Sequence, residues 1–565
     1  MKFFFFFFTF YASVFAQNQY PKDYFRSPLD IPIQLSGNFG ELRPNHFHAG
    51  FDFKTDKKEG LKVYAAADGY VSRIKISTYG YGKAIYITHS NGFTSVYGHL
   101  KLATPTIEKY IKANHYLQQS YELDLFLKSD ELIVKKGEVI AFSGNTGGSD
   151  GPHLHFEIRD SKTEQTINPL FFGFDTQFKD TKKPVITNLL VYPIDEMTTV
   201  NQSKNPLLLD LSLQKDGSYL AEKVIANGKI GFGINSYDLY DVDSGKNGVF
   251  KVASFLNGKP SFAFQFDTFA FEESKYINAL IDFSRYKKMQ QRVQKLFMKN
   301  SFPLSIIRTN TDTGIVTVSP NLNQIYRIEV SDFNDNKTVV SVPIEYSEKP
   351  AIDTLRIKKT PYFIKTNKEY NFEKDNWSVY IPANTFYEDF YLDFEVKNNT
   401  LFFHNDHVAV HKNFTVTFRD SITPVNEKEK ILIASLEGKK MKYNATKFNK
   451  QGFTAYSKNM GAFVLAKDTI APKITISKKI AGKWLNDQKN IQLTIKDDWS
   501  GIKSYNGYLN GKWILFEYDF KTNRITHYFE DNIVAEGQND LKVVVSDYVG
   551  NSTIFETQFF RSQKK

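Results

Sequence analysis

Apolar and polar residues alternate along most of this chain. KVYAAADGYVSRIKIS (62–77), AIYITHS (84–90) and FTSVYGHL (93–100) show a β-rich alternation, the pattern of half-buried strands. Asn91-Gly92, between the last two runs, is a hairpin signal. A helical period replaces the alternation in two places. In TPTIEKYIKANHYLQQSYELDLFL (104–127), Thr104 stands where a helix cap is needed and Pro105 in the first turn. The other is ESKYINALIDFSRYKKMQQRVQKLFM (273–298). The first helical stretch interrupts the strands directly after His99, and it reads as an insert over about 103–133. It is expected either as a flap beside a site or as a surface excursion.

From about residue 180 the pattern repeats itself. Proline-led starts recur as KKPVI (182–186), EKPAI (348–352) and IAPKI (470–474). VSDFNDNKT (330–338) matches VSDYVGNST (545–553), and DSG (243–245) pairs more loosely with WSG (499–501). A shared entry and a shared exit indicate at least two copies of one β-sandwich unit. WSVYIPANTFYEDFYLDFEV (377–396) marks another β-domain between them. The expected fold class is mainly β: an antiparallel core with a helical insert over 17–178, then about three sandwich-like domains at 180–347, 348–467 and 468–565. These resemble immunoglobulin-like bacterial surface modules, at the level of fold only.

Composition sharpens this picture in three ways. At 565 residues the chain is too long for one core, and its 51 Phe and 32 Tyr favour strands. It has no cysteine, so a metal must be held by His and carboxylates, and no lipid-bearing cysteine is available. MKFFFFFFTFYASVFAQ has a Lys, a short apolar run and a small residue at Ala16, the pattern of a secretory signal peptide over 1–16. An exported chain, periplasmic or at the cell surface, is expected, with no membrane-spanning segment once the leader is removed. The net charge of +10 suits anionic surfaces, but Lys and Arg are scattered, so no nucleic-acid partner is expected.

The candidate chemistry lies in two segments a hundred residues apart, HFHAGFD (46–52) and GNTGGSDGPHLHFEIR (144–159). Alternate residues of a strand share a face, so His153 and His155 emerge together, and His48 and Asp52 do so if HAGFDF is extended. His48, Asp52 and one histidine of H-L-H make a ligand set for a divalent metal with a position left for water. The other member of the pair and His99 remain as spare imidazoles. His46 reads as a substrate-side or structural residue and His89 as structural. HNDHVAVH (404–411) places His407 and His411 on one face if it is a strand.

HAGFD (48–52), YGHL (97–100) and GNTGGSDGPHLHFEI (144–158) resemble, in order and position, the three signature segments of the lysostaphin/LytM-type zinc endopeptidases. The resemblance covers roughly residues 35–170. It implies one zinc ion held by His48, Asp52 and His155, a catalytic pair formed by His99 and His153, and a compact antiparallel β core with an open groove. The implied function is cleavage of peptide stems or cross-links in peptidoglycan by metal-activated water. Some members of that family have lost ligands and only activate other wall enzymes. The alternatives are therefore a silent wall-binding or activating module, or a peptidase of protein substrates. The domains after 180 are expected to position the enzyme at a wall or a protein partner.

Overall fold

The computed structural model describes residues 20–562 apart from 243–244, 354–357, 421–422, 439, 451 and 532. The expected signal peptide, residues 1–16, lies outside the described residues. The fold is mainly β.

The first sheet is built from β1 (Leu35–Gly37), β2 (Phe51–Lys54), β3 (Gly69–Ile76), β4 (Lys83–Thr88) and β5 (Phe93–Gly98). After helix α1 (Pro105–Gln118) it gains β6 (Leu123–Phe126) and β7 (His153–Asp160). Its antiparallel path runs β1-β2-β7-β5-β4-β3-β6. The Asn91-Gly92 turn joins β4 to β5 as read from the sequence. A smaller sheet of Lys62–Tyr64, Val139–Ser143 and Leu100–Ala103 packs beside it. Phe51, Phe53, Phe156, Phe172 and Phe174 are fully buried between these layers. The apolar periodicity of the strands is thus spent on one aromatic-rich core.

The insert is half helix and half strand. α1 ends at Gln119, which takes a left-handed conformation, and β6 then pairs along β3 at the sheet edge farthest from β2. It is an edge extension and not a flap over a site. The second helical stretch breaks into three short pieces, Phe271–Ser274, Ile277–Leu280 and Phe283–Met289. The break has a local cause: Ile281 turns extended, and Asp282 starts a new helix by accepting the Arg285 amide (3.0 Å).

Three two-sheet units follow. The first packs a five-stranded sheet containing Val185–Pro193 and Gly228–Tyr237 against an eight-stranded one containing Gln324–Ser331 and Lys337–Tyr346. In Lys337–Tyr346 the residues Thr338, Val340, Val342 and Ile344 are buried in strict alternation. Two five-stranded sheets span Tyr370–Lys467, and two four-stranded sheets span Lys473–Arg561. The repeated VSD segments end equivalent strands, Gln324–Ser331 and Gly537–Asp547, each joined by a tight turn to its antiparallel partner.

The units touch one another closely. Thr166–Ile167 pairs with Thr268–Phe269, so the first sheet continues into the first sandwich. Phe47 packs on Phe266 and Phe269 with ring centroids 5.5 Å apart, giving one continuous apolar core across that junction. The last sandwich folds back onto the first domain. Tyr116 of α1 meets Trp513 (5.5 Å), Tyr79 meets Phe520 (4.6 Å), and Lys83 Nζ reaches Glu517 (2.9 Å). Among the described residues no helix is long and apolar enough to cross a membrane.

Candidate active site

β7 is central in its sheet, between β2 and β5, and that position assembles the site. Register places His155 opposite Asp52 on β2 and Gly98 on β5. His99 follows Gly98 directly and enters the groove from a left-handed backbone (φ 58°), fixed by its amide bonding to the Tyr81 carbonyl (2.8 Å). Such a conformation is strained for a non-glycine residue and persists only where surrounding contacts impose it. His48 does not lie on β2 as the even spacing implied, because the strand begins only at Phe51. The chain bends at Gly50, where an added Cβ would stand 2.1 Å from the Phe156 carbonyl oxygen, and this close approach brings His48 over Asp52. The Gly147 region plays a similar part: the loop 144–153 is closed by a bridge from Gly144 to His153, and a Cβ at Gly147 would lie 2.3 Å from the Gly82 nitrogen.

Three side chains converge. His48 Nε2 lies 3.0 Å from Asp52 Oδ1, His155 Nδ1 lies 2.9 Å from the same oxygen, and the two ring nitrogens are 3.1 Å apart. All three residues are buried. The ring protons are placed outward. His48 Nδ1–H donates to the Asn38 carbonyl (2.7 Å), and His155 Nε2–H donates to Glu157 Oε1 (2.7 Å). Both inward nitrogens therefore present lone pairs beside a carboxylate oxygen, an arrangement that calls for a shared cation. Ligands bonded to tetrahedral zinc at about 2.0–2.1 Å sit about 3.3 Å apart, close to these separations. The donor set fits such a metal. Without a cation, burial lowers the His155 pKa, but hydrogen bonds to Asp52 and Glu157 outweigh it and raise the value to about 9. A metal at Nδ1 displaces that proton. Burial works to raise Asp52, yet His48 and the bonds from His153 and His155 hold it well below the usual carboxylate range.

The other two histidines flank this group. His153 Nε2 is 3.4 Å from Asp52 Oδ1, and its Nδ1–H donates to the Gly151 carbonyl (2.8 Å). His99 donates Nδ1–H to the Thr146 carbonyl (2.8 Å), and its ring lies 4.7 Å from that of His153. Burial, aided by His155 and His153, lowers His99 to about 3, so its ring is neutral near pH 7 with Nε2 free to accept a proton. All five residues line one open groove of about 960 Å³, together with Arg43, His46 and Tyr81. No residue of the insert 103–133 lines it.

Three positioning groups, Glu157, Asn38 and Arg43, were not read from the sequence. Glu157 is fully buried and bonded to His155, to Arg159 (2.7 Å) and to the Tyr81 hydroxyl. It continues the same strand face as His153 and His155, so the period of two that singled out H-L-H also pointed to Glu157 and Arg159. Asn38 had no local signal. Arg43 bonds Asp52 Oδ2 (2.8 Å) and steadies the carboxylate from outside. His46 is exposed at the rim, with Nδ1 2.9 Å from the Pro44 carbonyl. His89 lies outside the groove, bonded to the Asp68 carbonyl and the Ser95 hydroxyl (both 2.8 Å). Residues 404–409 are not a strand, so His407 and His411 do not share a strand face; His411 instead stacks on Tyr276 at 5.0 Å.

Comparison with known proteins matches residues 46–121 and 106–169 to the peptidase family M23, and residues 361–468 to a Zu5-like domain. The overlap of the two M23 segments falls on the insert. Among relatives, an uncharacterized metalloprotease of Haemophilus influenzae is 32% identical over 158 residues, 26% of this chain and 27% of that protein. The DD-carboxypeptidase/endopeptidase Mpg of Neisseria meningitidis is 33% identical over 151 residues, 26% of this chain and 28% of that protein. The chain thus spans little more than a quarter of the length of these curated relatives. A zinc-containing peptidase from Vibrio cholerae of known structure is 28% identical, covering 24% of this chain and 36% of that one with a TM-score of 0.18. The catalytic domain of lysostaphin from Staphylococcus simulans is 23% identical, covering 25% and 92% with a TM-score of 0.20. Residues 46–169 are a peptidase family M23 domain.

Proposed function

We propose, from the M23 domain that this chain carries, that it is an exported zinc-dependent endopeptidase cleaving peptide stems or cross-links of peptidoglycan. The observation that carries this reading is the convergence of His48, Asp52 and His155, with their ring protons turned outward, at the floor of an open groove flanked by His99 and His153. Export is supported by the leader pattern at 1–16, and the substrate class by relatives named as peptidoglycan DD-endopeptidases.

His48, Asp52 and His155 would hold the zinc, which would supply a Lewis acid for the scissile carbonyl and lower the pKa of water. The chain's own groups manage the protons. His99 and His153 each give their Nδ1 proton to a backbone carbonyl, which leaves Nε2 of each as an acceptor. This pair takes the proton of the attacking water, and one member returns it to the leaving amine. In its protonated form the pair also stabilises the oxyanion of the tetrahedral stage. Glu157 and Asn38 fix the ring orientations of His155 and His48.

A second reading has one specific support: the murein hydrolase activator EnvC of Escherichia coli is 29% identical over 113 residues, 20% of each chain. An activator releases nothing by itself. Purified peptidoglycan incubated with the zinc-loaded chain alone yields soluble peptide fragments if the chain is a hydrolase, and a chelator abolishes them. No release at any zinc level, with release restored only by an added wall hydrolase, identifies an activator. Cleavage of a Gly-rich protein such as elastin in preference to peptidoglycan identifies a peptidase of proteins.

A further inference from the structure

Asp180, Asp238 and Asp332 gather where the M23 domain meets the first sandwich, with one ligand oxygen of each within 4.8 Å of the others. They are 9%, 2% and 2% exposed. Three buried carboxylates this close repel one another, and among the described residues no cationic side chain pairs with any of them. Asp238 Oδ1 and Asp180 Oδ1 are buried and accept no hydrogen bond. Asp180 and Asp238, with Asn38, Asn168 and Asp175, line a small cavity of about 10 Å³, about the room one water or ion requires; Asp332 stands just outside its lining. Asp175 Oδ1 is also buried and unpartnered.

The last sandwich provides an internal comparison. Its Asp468, Asp497 and Asp547 form the equivalent cluster in the same framework. Asn551 Nδ2 donates to the Asp468 carbonyl as Asn336 Nδ2 does to that of Asp180 (both 3.2 Å), and Thr553 caps Pro472 as Thr338 caps Pro184. There, however, the carboxylates accept backbone amides from Ile470, Trp499, Gly501, Val549 and Asn551 at 2.7–3.0 Å. In the first cluster the amides of Asn336, Lys182 and Leu239 bear on Asp332, Asp180 and Asp238, yet Oδ1 of Asp180 and of Asp238 stays buried without a partner. The framework is shared, and the bare oxygens belong to the junction with the M23 domain.

We propose that Asp180, Asp238 and Asp332 bind a hard divalent cation, of the calcium class, in the first sandwich where it meets the M23 domain. All-oxygen donors select hard cations, and calcium accepts them at about 2.3–2.6 Å, so its ligands lie within about 5 Å of each other as these do. Magnesium keeps several waters, for which this cavity has no room. The pKa values agree with an unmet demand for positive charge: burial, then the neighbouring carboxylate, raises Asp180 to about 7 and Asp238 to about 8. The site sits one residue from the catalytic groove. Asn38, whose carbonyl orients His48, binds Gly248 through its side chain (2.7 and 2.8 Å), and Gly248 follows the bridge of Asp238 to Asn247 that closes the loop. The cation site itself does not depend on the peptidase reading.

The test is calcium titration of the zinc-loaded full chain after removal of calcium, followed by calorimetry and by terbium luminescence sensitised by the nearby Tyr240. The expected result is calcium binding in the natural chain and one ion fewer per chain in Asp238→Asn and in Asp180→Asn, with matching loss of terbium emission. Either variant alone suffices if the other fails to fold. A natural chain that binds no calcium, a preference for magnesium, or an unchanged ion count in a folded variant overturns the proposal.

Discussion

His153 and His155 stand two residues apart on one strand, yet their rings do different work. His155 turns its protonated nitrogen to Glu157 and its lone pair to Asp52, whereas His153 keeps only a long 3.4 Å contact with that carboxylate. His153→Ala is therefore expected to retain near-stoichiometric zinc and to lose about a hundredfold or more in turnover, whereas His48→Ala loses the zinc itself. Zinc content by atomic absorption beside peptidoglycan hydrolysis checks both. Glu157→Gln keeps the shape but weakens the acceptor for His155, and zinc affinity is expected to fall about 10–100-fold by competition with a chelating dye. His89 makes a prediction on stability. Burial lowers its pKa from 6.5 to about 4, so between these values the unfolded chain binds the extra proton. Its contribution is complete above pH 6.5 and is lost as the pH falls towards 4. Urea midpoints measured from pH 7 to 4 should fall less in His89→Asn than in the natural chain.

At the scale of elements, the deciding feature is that β7 is flanked on both sides. A strand at an edge would present H-L-H to solvent, but between β2 and β5 it sets His155 opposite Asp52 and beside the end of β5, from which His99 departs. The bend at Gly50 matters equally. Gly50→Ala is expected to displace His48 by driving a Cβ into the Phe156 carbonyl, lowering zinc occupancy without removing a ligand. Bound zinc per chain checks this against a folded circular dichroism spectrum. The insert is longer than the sheet needs, and it serves the last sandwich: α1 contributes Tyr116 to Trp513, and β6 widens the sheet away from the groove.

Across the whole molecule, the last sandwich returns to the M23 domain beside the groove. Lys83 and Glu517 form a mostly buried pair there, and Lys521 Nζ reaches the Asn145 carbonyl (2.5 Å) in the loop that precedes H-L-H. The Glu517 carboxylate counters the burial that would otherwise lower Lys83, and its pKa is raised. Removal of one partner leaves a buried charge uncompensated. Glu517→Ala is therefore expected to loosen this contact, seen as faster limited proteolysis between residues 468 and 473, and Lys83→Met in the same chain should restore resistance. A chain closed on itself in this way sets the last sandwich against the loop that precedes H-L-H, although none of its residues lines the groove.

The strand period, the repeated VSD segments and the spacing within HAGFD and H-L-H were legible along the chain, because alternation and short even spacings are local properties of the backbone. They brought out His48, Asp52, His99, His153 and His155, all of which line the groove. The stretch 273–298 is helical as far as Met289, but in separate short pieces, because a 3.6-residue apolar period does not show where Ile281 and Asp282 break it. The place of the insert, the support of His48 by Asn38, the return of the last sandwich and the gathering of Asp180, Asp238 and Asp332 had no local trace. Each joins residues dozens to hundreds of positions apart, and only the pairing of sheets and the packing of their faces decides which such residues meet.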